Sequence, residues 1–137
     1  MTPELQAFAA GFPTTLAHAG LSLVLFAVGA VLYALLSPHR EIGRIRDGNA
    51  AAAVSYGGVL LGLAIPLAVS LTASTSLAEL AIWGASVTVL QLLLLRITDF
   101  VLRGLPERVD EGEISAAVLL VSAKLAVALL VAAAVAG

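Results

Sequence analysis

The sequence contains no cysteine and only two histidines among its 137 residues. The absence of cysteine excludes disulfides, iron–sulfur clusters and thiol catalysis, and two histidines alone do not make a histidine-rich zinc site. Charged residues are also scarce, at 12% of the chain, against roughly 25% in soluble domains. The formal net charge of −2 argues against a nucleic-acid partner. We therefore expect no cofactor, no metal and no nucleic acid.

Apolar residues take the place of the missing charges, at 61% of the chain. They form four long runs, at residues 16–37, 50–71, 77–102 and 114–136. Each run reaches the roughly 20 residues that a helix needs to cross a bilayer. Backbone groups in hydrocarbon must bond within their own segment, which favours helices. We predict an all-α fold, an integral membrane four-helix bundle surrounded by a lipid bilayer.

The runs divide the chain into two helix hairpins with a leading segment. Residues 16–71 form the first hairpin, 72–76 an outer turn and 77–137 the second hairpin. For the outer-side segment 1–15 the sequence leaves two alternatives, a frayed tail or a short interfacial helix before Pro13 that uses Leu5, Phe8 and Phe12.

The basic residues predict the orientation in the membrane. Six of the seven lysine and arginine residues flank or fill two connections, the first after residue 37 and the second near residue 102: Arg40, Arg44, Arg46, Arg96, Arg103 and Arg108. The segment 72–76 and the N-terminal segment carry no basic residue. Because positive loops stay in the cytoplasm, we expect both connections inside and both termini outside.

An internal similarity relates the two hairpins at an offset of 64 residues. Residues 47–54 align with residues 111–118, and both begin with an acidic residue, a glycine and a polar residue before an alanine-rich helix start. Each unit has two crossings, so the repeats are parallel. Asn49 is a good N-cap, and Glu113 complements the positive end of the fourth helix. A role of both in binding a cytoplasmic ligand is the alternative.

Small residues predict where helices approach closely. Gly58 and Gly62 form a GxxxG pair in the second run, and Gly84 lies in the third run on a small and polar stripe with Thr88 and Gln91. In lipid, such residues permit van der Waals contact between helix backbones. We interpret them as a packing seam within or between chains, and we expect a homo-oligomer, with a dimer as the default.

Lys124 is the most informative single residue. It lies ten residues into the fourth run, about 15 Å along the helix at 1.5 Å per residue, and therefore near the membrane midplane. An ammonium group at that depth must face other helices, water or another subunit. Since we expect Asp99 near the inner end of its helix, the predicted partners in depth are Gln91, Ser122 and backbone carbonyls. The alternatives are a structural lysine and an anion-attracting or proton-exchanging midplane site.

A second charged group lies at the inner end of the third run. Arg96, Asp99 and Arg103 follow one another at i, i+3 and i+7, a spacing that lets Asp99 reach both arginines on a helix. We interpret them as an anchor and ion-pair cluster at the cytoplasmic end, with a gate or a contact to an anionic ligand as the alternative.

The spacing of several small residues carries a resemblance to a known family. The run 48–53, the pair Gly57-Gly58, then Gly62, Trp83-Gly84 and Gln91 resemble the YjfL-like bacterial inner-membrane family, a domain of unknown function (DUF350). The resemblance covers nearly the whole chain. It implies a small multi-pass protein of the bacterial inner membrane and supplies no activity. The second copy in that family usually has asparagine at the position of Glu113.

Two functions remain open. The first is an oligomeric channel or transporter subunit for an ion or small solute, suggested by Lys124, the Gln91 stripe and the repeat. The alternative is a non-transport membrane component that docks or regulates a partner protein through its arginine-bearing loops. We expect no enzyme, because the sequence has no Ser/His/Asp grouping, no phosphate-binding loop and no paired carboxylates at depth.

Overall fold

Four long helices joined by short segments make up the computed structural model of the chain, which describes residues 2–137. The long helices are α1 (Pro3–Leu36), α3 (Ala50–Ala73), α4 (Leu77–Val101) and α6 (Ile114–Ala136). Short helices lie in the two basic connections, α2 at Glu41–Arg46 and α5 at Leu105–Asp110. All four long helices have the length and the apolar composition to cross a membrane. The predicted all-α fold with four membrane helices is confirmed.

The first helix is longer than the sequence analysis expected. It runs without a break for 34 residues, with Thr2 as its N-cap and Pro13 inside it. Residues 3–15 therefore form its first turns and not a separate interfacial helix or a frayed tail; Met1 of the predicted segment 1–15 lies outside the described residues. Proline removes one hydrogen bond and can kink a helix, but α1 continues through Pro13.

The two short helices end in the same kind of turn. At the end of α2, Gly48 has φ +87°, and the amides of Asn49 and Gly48 donate to the carbonyls of Arg44 and Ile45 at 2.9 and 3.0 Å. These are the two hydrogen bonds of a Schellman motif, which needs a left-handed residue and so favours glycine. At the end of α5 the same two bonds, at 3.0 and 2.9 Å, close around Gly112 with φ +88°. Each turn leads directly into a long helix.

The connections define two ends of the bundle. We call the end that carries α2 and α5 the basic end, and the opposite end, with both termini and the turn between α3 and α4, the turn end. Consecutive long helices run in opposite directions, so α3 and α6 both start at the basic end. Asn49 caps α3 by accepting the amide of Ala52 at 3.0 Å. Glu113 occupies the N-cap position of α6 without a capping hydrogen bond from its side chain.

The core is centred on the contact between α3 and α6, the most extensive helix pair in the chain. The alanine-rich starts of both helices meet at the basic end, where Ala51, Ala52, Ala116 and Ala117 are all buried together. Farther along, a β-carbon on Gly58 would lie 2.7 Å from Cγ2 of Val121. Small side chains thus bring the two backbones close, as expected in a membrane where packing drives helix association.

The other two predicted packing glycines serve different helix pairs. A β-carbon on Gly62 would lie 3.4 Å from a methyl group of Leu95 on α4 and 4.0 Å from the carbonyl oxygen of Lys124 on α6. One on Gly84 would lie 2.8 Å from Cδ1 of Leu25 on α1. All three glycines therefore stand at contacts between helices of one chain.

Gly58→Ala should destabilise the protein, whereas the adjacent Gly57→Ala should not. The new methyl group at position 58 meets Val121, whose branched side chain has little rotamer freedom in a helix, and overpacking of this kind costs about 1–3 kcal/mol. At position 57 nothing lies within 4 Å of an added β-carbon, so alanine should gain about 0.5–1 kcal/mol of helix stability. Unfolding in detergent micelles measures both; equal stability of the two variants would contradict the seam.

Candidate functional site

A charged cluster is buried in the interior of the bundle. Nζ of Lys124 lies 2.8 Å from Oδ1 of Asp99 and donates to the hydroxyl oxygen of Tyr33 at 2.8 Å. The Tyr33 hydroxyl in turn donates to Oδ2 of Asp99 at 2.5 Å. Three helices, α1, α4 and α6, contribute one residue each. We call these three residues the triad.

Burial of the triad is almost complete. Lys124 is 0% exposed, Tyr33 1% and Asp99 7%. Nζ of Lys124 also lies 5.0 Å from the centre of the Tyr33 ring, within the range of a cation–π contact. The predicted orientation of Lys124 into the bundle therefore agrees with the structure. A buried ion pair persists only when further hydrogen bonds satisfy both charges, and here the tyrosine bonds to each partner.

The partner of Lys124 differs from the sequence-based expectation, which placed no carboxylate at its depth. Side chains on a helix lean toward its N-terminus. Helix α6 begins at the basic end, so Lys124 leans toward that end. Helix α4 begins at the turn end, so Asp99 leans toward the middle of the bundle. The two side chains lean toward each other, and the distance between their Cα depths is closed by the length of the lysine.

Gln91 and Ser122, the predicted partners of Lys124, lie elsewhere. Gln91 is 0% exposed, and its amide nitrogen lies 3.6 Å from where a β-carbon on Gly62 would be. Neither polar atom of its amide has a hydrogen-bond partner within residues 2–137. Ser122 is exposed on the outer surface of the bundle, where its hydroxyl donates to the carbonyl of Val118 at 2.8 Å. Gln91 therefore lies beside Gly62 of α3, and neither Gln91 nor Ser122 bonds to Lys124.

The arginines of the predicted charge cluster separate. Nη1 of Arg96 lies 3.4 Å from Oδ2 of Asp99, and the Arg96 side chain is 34% exposed. Arg103 instead places its guanidinium 5.8 Å from the centre of the Phe100 ring. Asp99 thus has two cationic partners, one fully buried and one half-buried. Its charge is compensated from both sides.

A narrow crevice leads from the basic end to the triad. Its cavity volume is about 10 Å³, on the order of the space that one water molecule needs. It is lined by Tyr33, His39, Glu41, Ser55, Asp99, Pro106, Val109, Asp110 and Leu120. Glu41 is 7% exposed; its Oε1 accepts the hydroxyl of Ser37 at 2.7 Å. Its Oε2 is buried without a hydrogen-bond partner among the described residues.

Polar contacts hold the mouth of this crevice in place. Nδ1 of His39 lies 2.8 Å from Oδ2 of Asp110, which joins the connection after α1 to the end of α5. The Asn49 amide donates to the carbonyls of Val109 and Asp110, both at 3.1 Å. The cap of α3 is therefore also a link between α3 and α5.

Glu113 takes no part in a comparable link. It pairs with the exposed Arg108, and Nε of Arg108 donates to its Oε2 at 2.7 Å. This pairing holds the pKa of Glu113 below its ordinary value. Asn49 and Glu113, aligned in the sequence, thus do different things: the first bridges two helices and the second forms a local surface pair.

Tyr33, His39, Glu41 and Asp110 were missed by the sequence analysis. Tyr33 carries a usable signal, because a tyrosine hydroxyl inside a membrane helix needs a hydrogen-bond partner. The other three lie in the connections, where nothing in the local pattern separates a buried carboxylate from a solvated one. Within residues 2–137, no three or more histidine and carboxylate side chains converge closely enough to hold a metal ion.

Comparison with known proteins assigns the family. Residues 7–135 match the family described as Domain of Unknown Function (DUF350). The chain belongs to this family. It is 28% identical over 123 residues to the UPF0719 inner membrane protein YjfL of Escherichia coli (strain K12), and equally to that of Escherichia coli O157:H7. Each match covers 90% of this chain and 88% of the relative. No solved structure matches. This DUF350 protein is thus a small membrane protein with four apolar helices.

Lys124→Leu should destabilise this DUF350 protein, and Asp99→Asn should restore much of the loss. Removing one partner of a buried ion pair leaves an uncompensated charge, at a cost of about 3–5 kcal/mol; Arg96, still paired with Asp99, should keep the loss near the lower value. Asparagine removes the charge and still accepts from the Tyr33 hydroxyl. A double-mutant cycle by unfolding in detergent measures the coupling, with Ser122→Ala as the neutral control. Strictly additive effects would show that the pair contributes nothing.

Proposed function

We propose that this protein is a subunit of an oligomeric channel or transporter for an ion or small solute in the bacterial inner membrane, and that it is not an enzyme. The observation that carries the proposal is the triad, an ion pair buried in a bundle that lipid surrounds. The crevice, which reaches the triad from one end of the bundle, gives it access to an aqueous phase.

The energetics of the membrane support a functional reason for the triad. A charged residue at the centre of a membrane helix costs about 2.5–3.5 kcal/mol on insertion, and such residues commonly mark pathways for ions or protons. Apolar side chains at Lys124 and Asp99 would pack the same volume without that cost. Stability alone therefore gives weak grounds for keeping the pair.

The dimensions of the bundle support an oligomer. The crevice has room for about one water molecule, so a hydrated ion or a solute needs a path between chains. Helix α1 offers a surface for such contacts, since 11% of its most apolar stretch is buried, against 44% for α3. A two-fold dimer is the default assembly because it is the commonest symmetric arrangement.

We further propose that the two hairpins are parallel repeats with the basic end in the cytoplasm and both termini outside. The matching Schellman turns around Gly48 and Gly112 support the duplication. The concentration of arginines at one end supports the orientation, and the inner-membrane relatives support the location.

Single cysteines test the orientation without background, because the chain has none of its own. A membrane-impermeant maleimide added to intact cells should label Thr72→Cys at the turn end and leave Gly43→Cys unlabelled until the membrane is opened. Nothing lies within 4 Å of a β-carbon at Gly43, so labelling there reports access and not packing. The reverse pattern would overturn the orientation.

Flux through proteoliposomes tests the function. The wild-type protein should conduct an ion or small solute above the level of empty vesicles. The double variant Lys124→Leu/Asp99→Asn should lose this flux while it still inserts and folds, because it lacks both charges of the triad. Ser122→Ala, on the exposed face of the same helix, should keep it. Wild-type flux in the double variant would show that the triad is not part of the transport pathway.

Docking of a partner protein at the basic end is the second candidate. It is favoured by α2 and its start, where Arg40, Arg44 and Arg46 are all exposed. A stoichiometric partner that co-purifies with the wild-type protein, and is lost when the three arginines become glutamine, would support it. In that case the flux assay should give no signal above empty vesicles.

A further inference from the structure

We infer that the triad is a proton-binding site, with Lys124 as the proton carrier, and that it exchanges protons with the basic end through the crevice. This inference deepens the proposed function and depends on it for its role in transport. The binding site itself can be tested without transport.

The crevice and the triad contain the buried ionisable side chains of the described chain. The buried titratable side chains within residues 2–137 are Tyr33, Glu41, Asp99 and Lys124, and all of them belong to the triad or the crevice. At the mouth stands the pair of His39 and Asp110, with side chains 19% and 20% exposed. A line of ionisable side chains therefore runs from the mouth of the crevice to the triad.

The small volume of the crevice favours a proton over a larger ion or solute. A cavity of about 10 Å³ admits on the order of one water molecule, which can form hydrogen bonds to the carboxylates around it. It is too small for a hydrated metal ion or an organic solute. A proton, which moves along hydrogen bonds, needs no larger opening.

The charge of Asp99 is compensated in both protonation states of Lys124. When Lys124 is an ammonium, Asp99 is held by it and by Arg96. When Lys124 loses a proton, Asp99 keeps Arg96 and the Tyr33 hydroxyl. The carboxylate therefore has a partner in both states of the lysine.

Groups from several helices face the pair and set its proton affinity. Arg96 on α4 contacts Asp99, and Glu41 on α2 lines the crevice. Helix α3 contributes the neutral Ser55, and α5 contributes Asp110 at the mouth. The pH at which Lys124 changes its protonation state therefore depends on these side chains as well.

In this proposal one proton moves from Lys124 to water at the basic end. The Lys124 ammonium gives one proton to Oδ1 of Asp99, and the carboxyl group passes a proton through crevice water to Oε2 of Glu41. Glu41 then releases a proton to water at the basic end, directly or through His39. Asp99 and Glu41 end as carboxylates and Lys124 as an amine, with one proton released. The reverse sequence loads the site.

The route has one open side. Toward the turn end, the buried side chains within residues 2–137 are apolar or neutral. Among the neutral ones are Thr88, whose hydroxyl donates to the Gly84 carbonyl at 2.7 Å, and Gln91, whose amide has no hydrogen-bond partner among these residues. The crevice that Tyr33 and Asp99 line extends toward the basic end, where His39, Glu41 and Asp110 also line it, and the proton route follows that side.

Lys124 is the single lysine of the chain, so full-length protein labelled with ¹⁵N-lysine gives one side-chain amine resonance, whose shift separates ammonium from amine. In liposomes with the protein in one orientation, we expect this resonance to switch forms as the pH on the basic-end side is raised. It should not respond to pH on the turn-end side. A resonance that stays ammonium wherever the protein remains folded, or that follows the turn-end pH, overturns the inference.

Glu41→Gln tests the route. Glutamine keeps the acceptor for the Ser37 hydroxyl but carries no exchangeable acid, so the response of Lys124 should slow by about a hundredfold, the lower end of what a positioned acid–base group contributes. Melting behaviour should stay unchanged. Glu79→Gln, at the start of α4 on the turn end, is the matched control and should respond like wild type. An unchanged rate in Glu41→Gln would exclude Glu41 from the route.

The proton-binding site and the transport function can be refuted independently of each other. A switching lysine without flux in proteoliposomes would leave the proton site standing and remove the transport function. Flux of another ion, with Lys124 fixed as an ammonium, would keep transport and remove the proton site.

Discussion

An ammonium group inside a lipid-embedded bundle must have its charge and its hydrogen bonds satisfied inside the bundle, since lipid cannot do so. In this structure Asp99 supplies the opposite charge and Tyr33 bonds to both. The requirement ties α1, α4 and α6 together at one depth. It also restricts the rotation of each helix, because a rotation by one residue would turn Lys124, Asp99 or the Tyr33 hydroxyl away from its partners.

The small residues of α3 make this arrangement reachable. Helix α3 contacts α1, α4 and α6, and its contacts with α4 and α6 involve Gly58, Gly62 and the buried alanines at its start. A bulkier α3 would push α6 outward and lengthen the 2.8 Å separation between Nζ of Lys124 and Asp99. The glycine seam and the charged triad are thus two parts of one packing solution.

Much of the fold was predictable from the sequence, because long apolar runs have only one way to satisfy their backbones in lipid. The interior position of Lys124 followed from its depth and from the cost of exposure. Its partner did not, because depth counted along Cα positions ignores the lean of side chains in antiparallel helices. The crevice was also out of reach: Glu41 and His39 look like surface residues of a loop, and only the packing of α2 on α3 and the contact of His39 with Asp110 place them in the crevice. The continuation of residues 3–15 into α1 was not predicted, because a proline such as Pro13 often ends or kinks a helix.

The length of α1 has a consequence for how the protein sits in the bilayer. Thirty-four residues span about 51 Å, whereas the hydrocarbon core is roughly 30 Å thick. Tilt alone would have to exceed the roughly 40° limit seen for membrane helices to absorb this mismatch. Several turns of α1 must therefore rise above the hydrocarbon on the turn-end side. They carry the stacked rings of Phe8 and Phe12 into the headgroup layer, where α1 extends beyond the ends of the other three long helices.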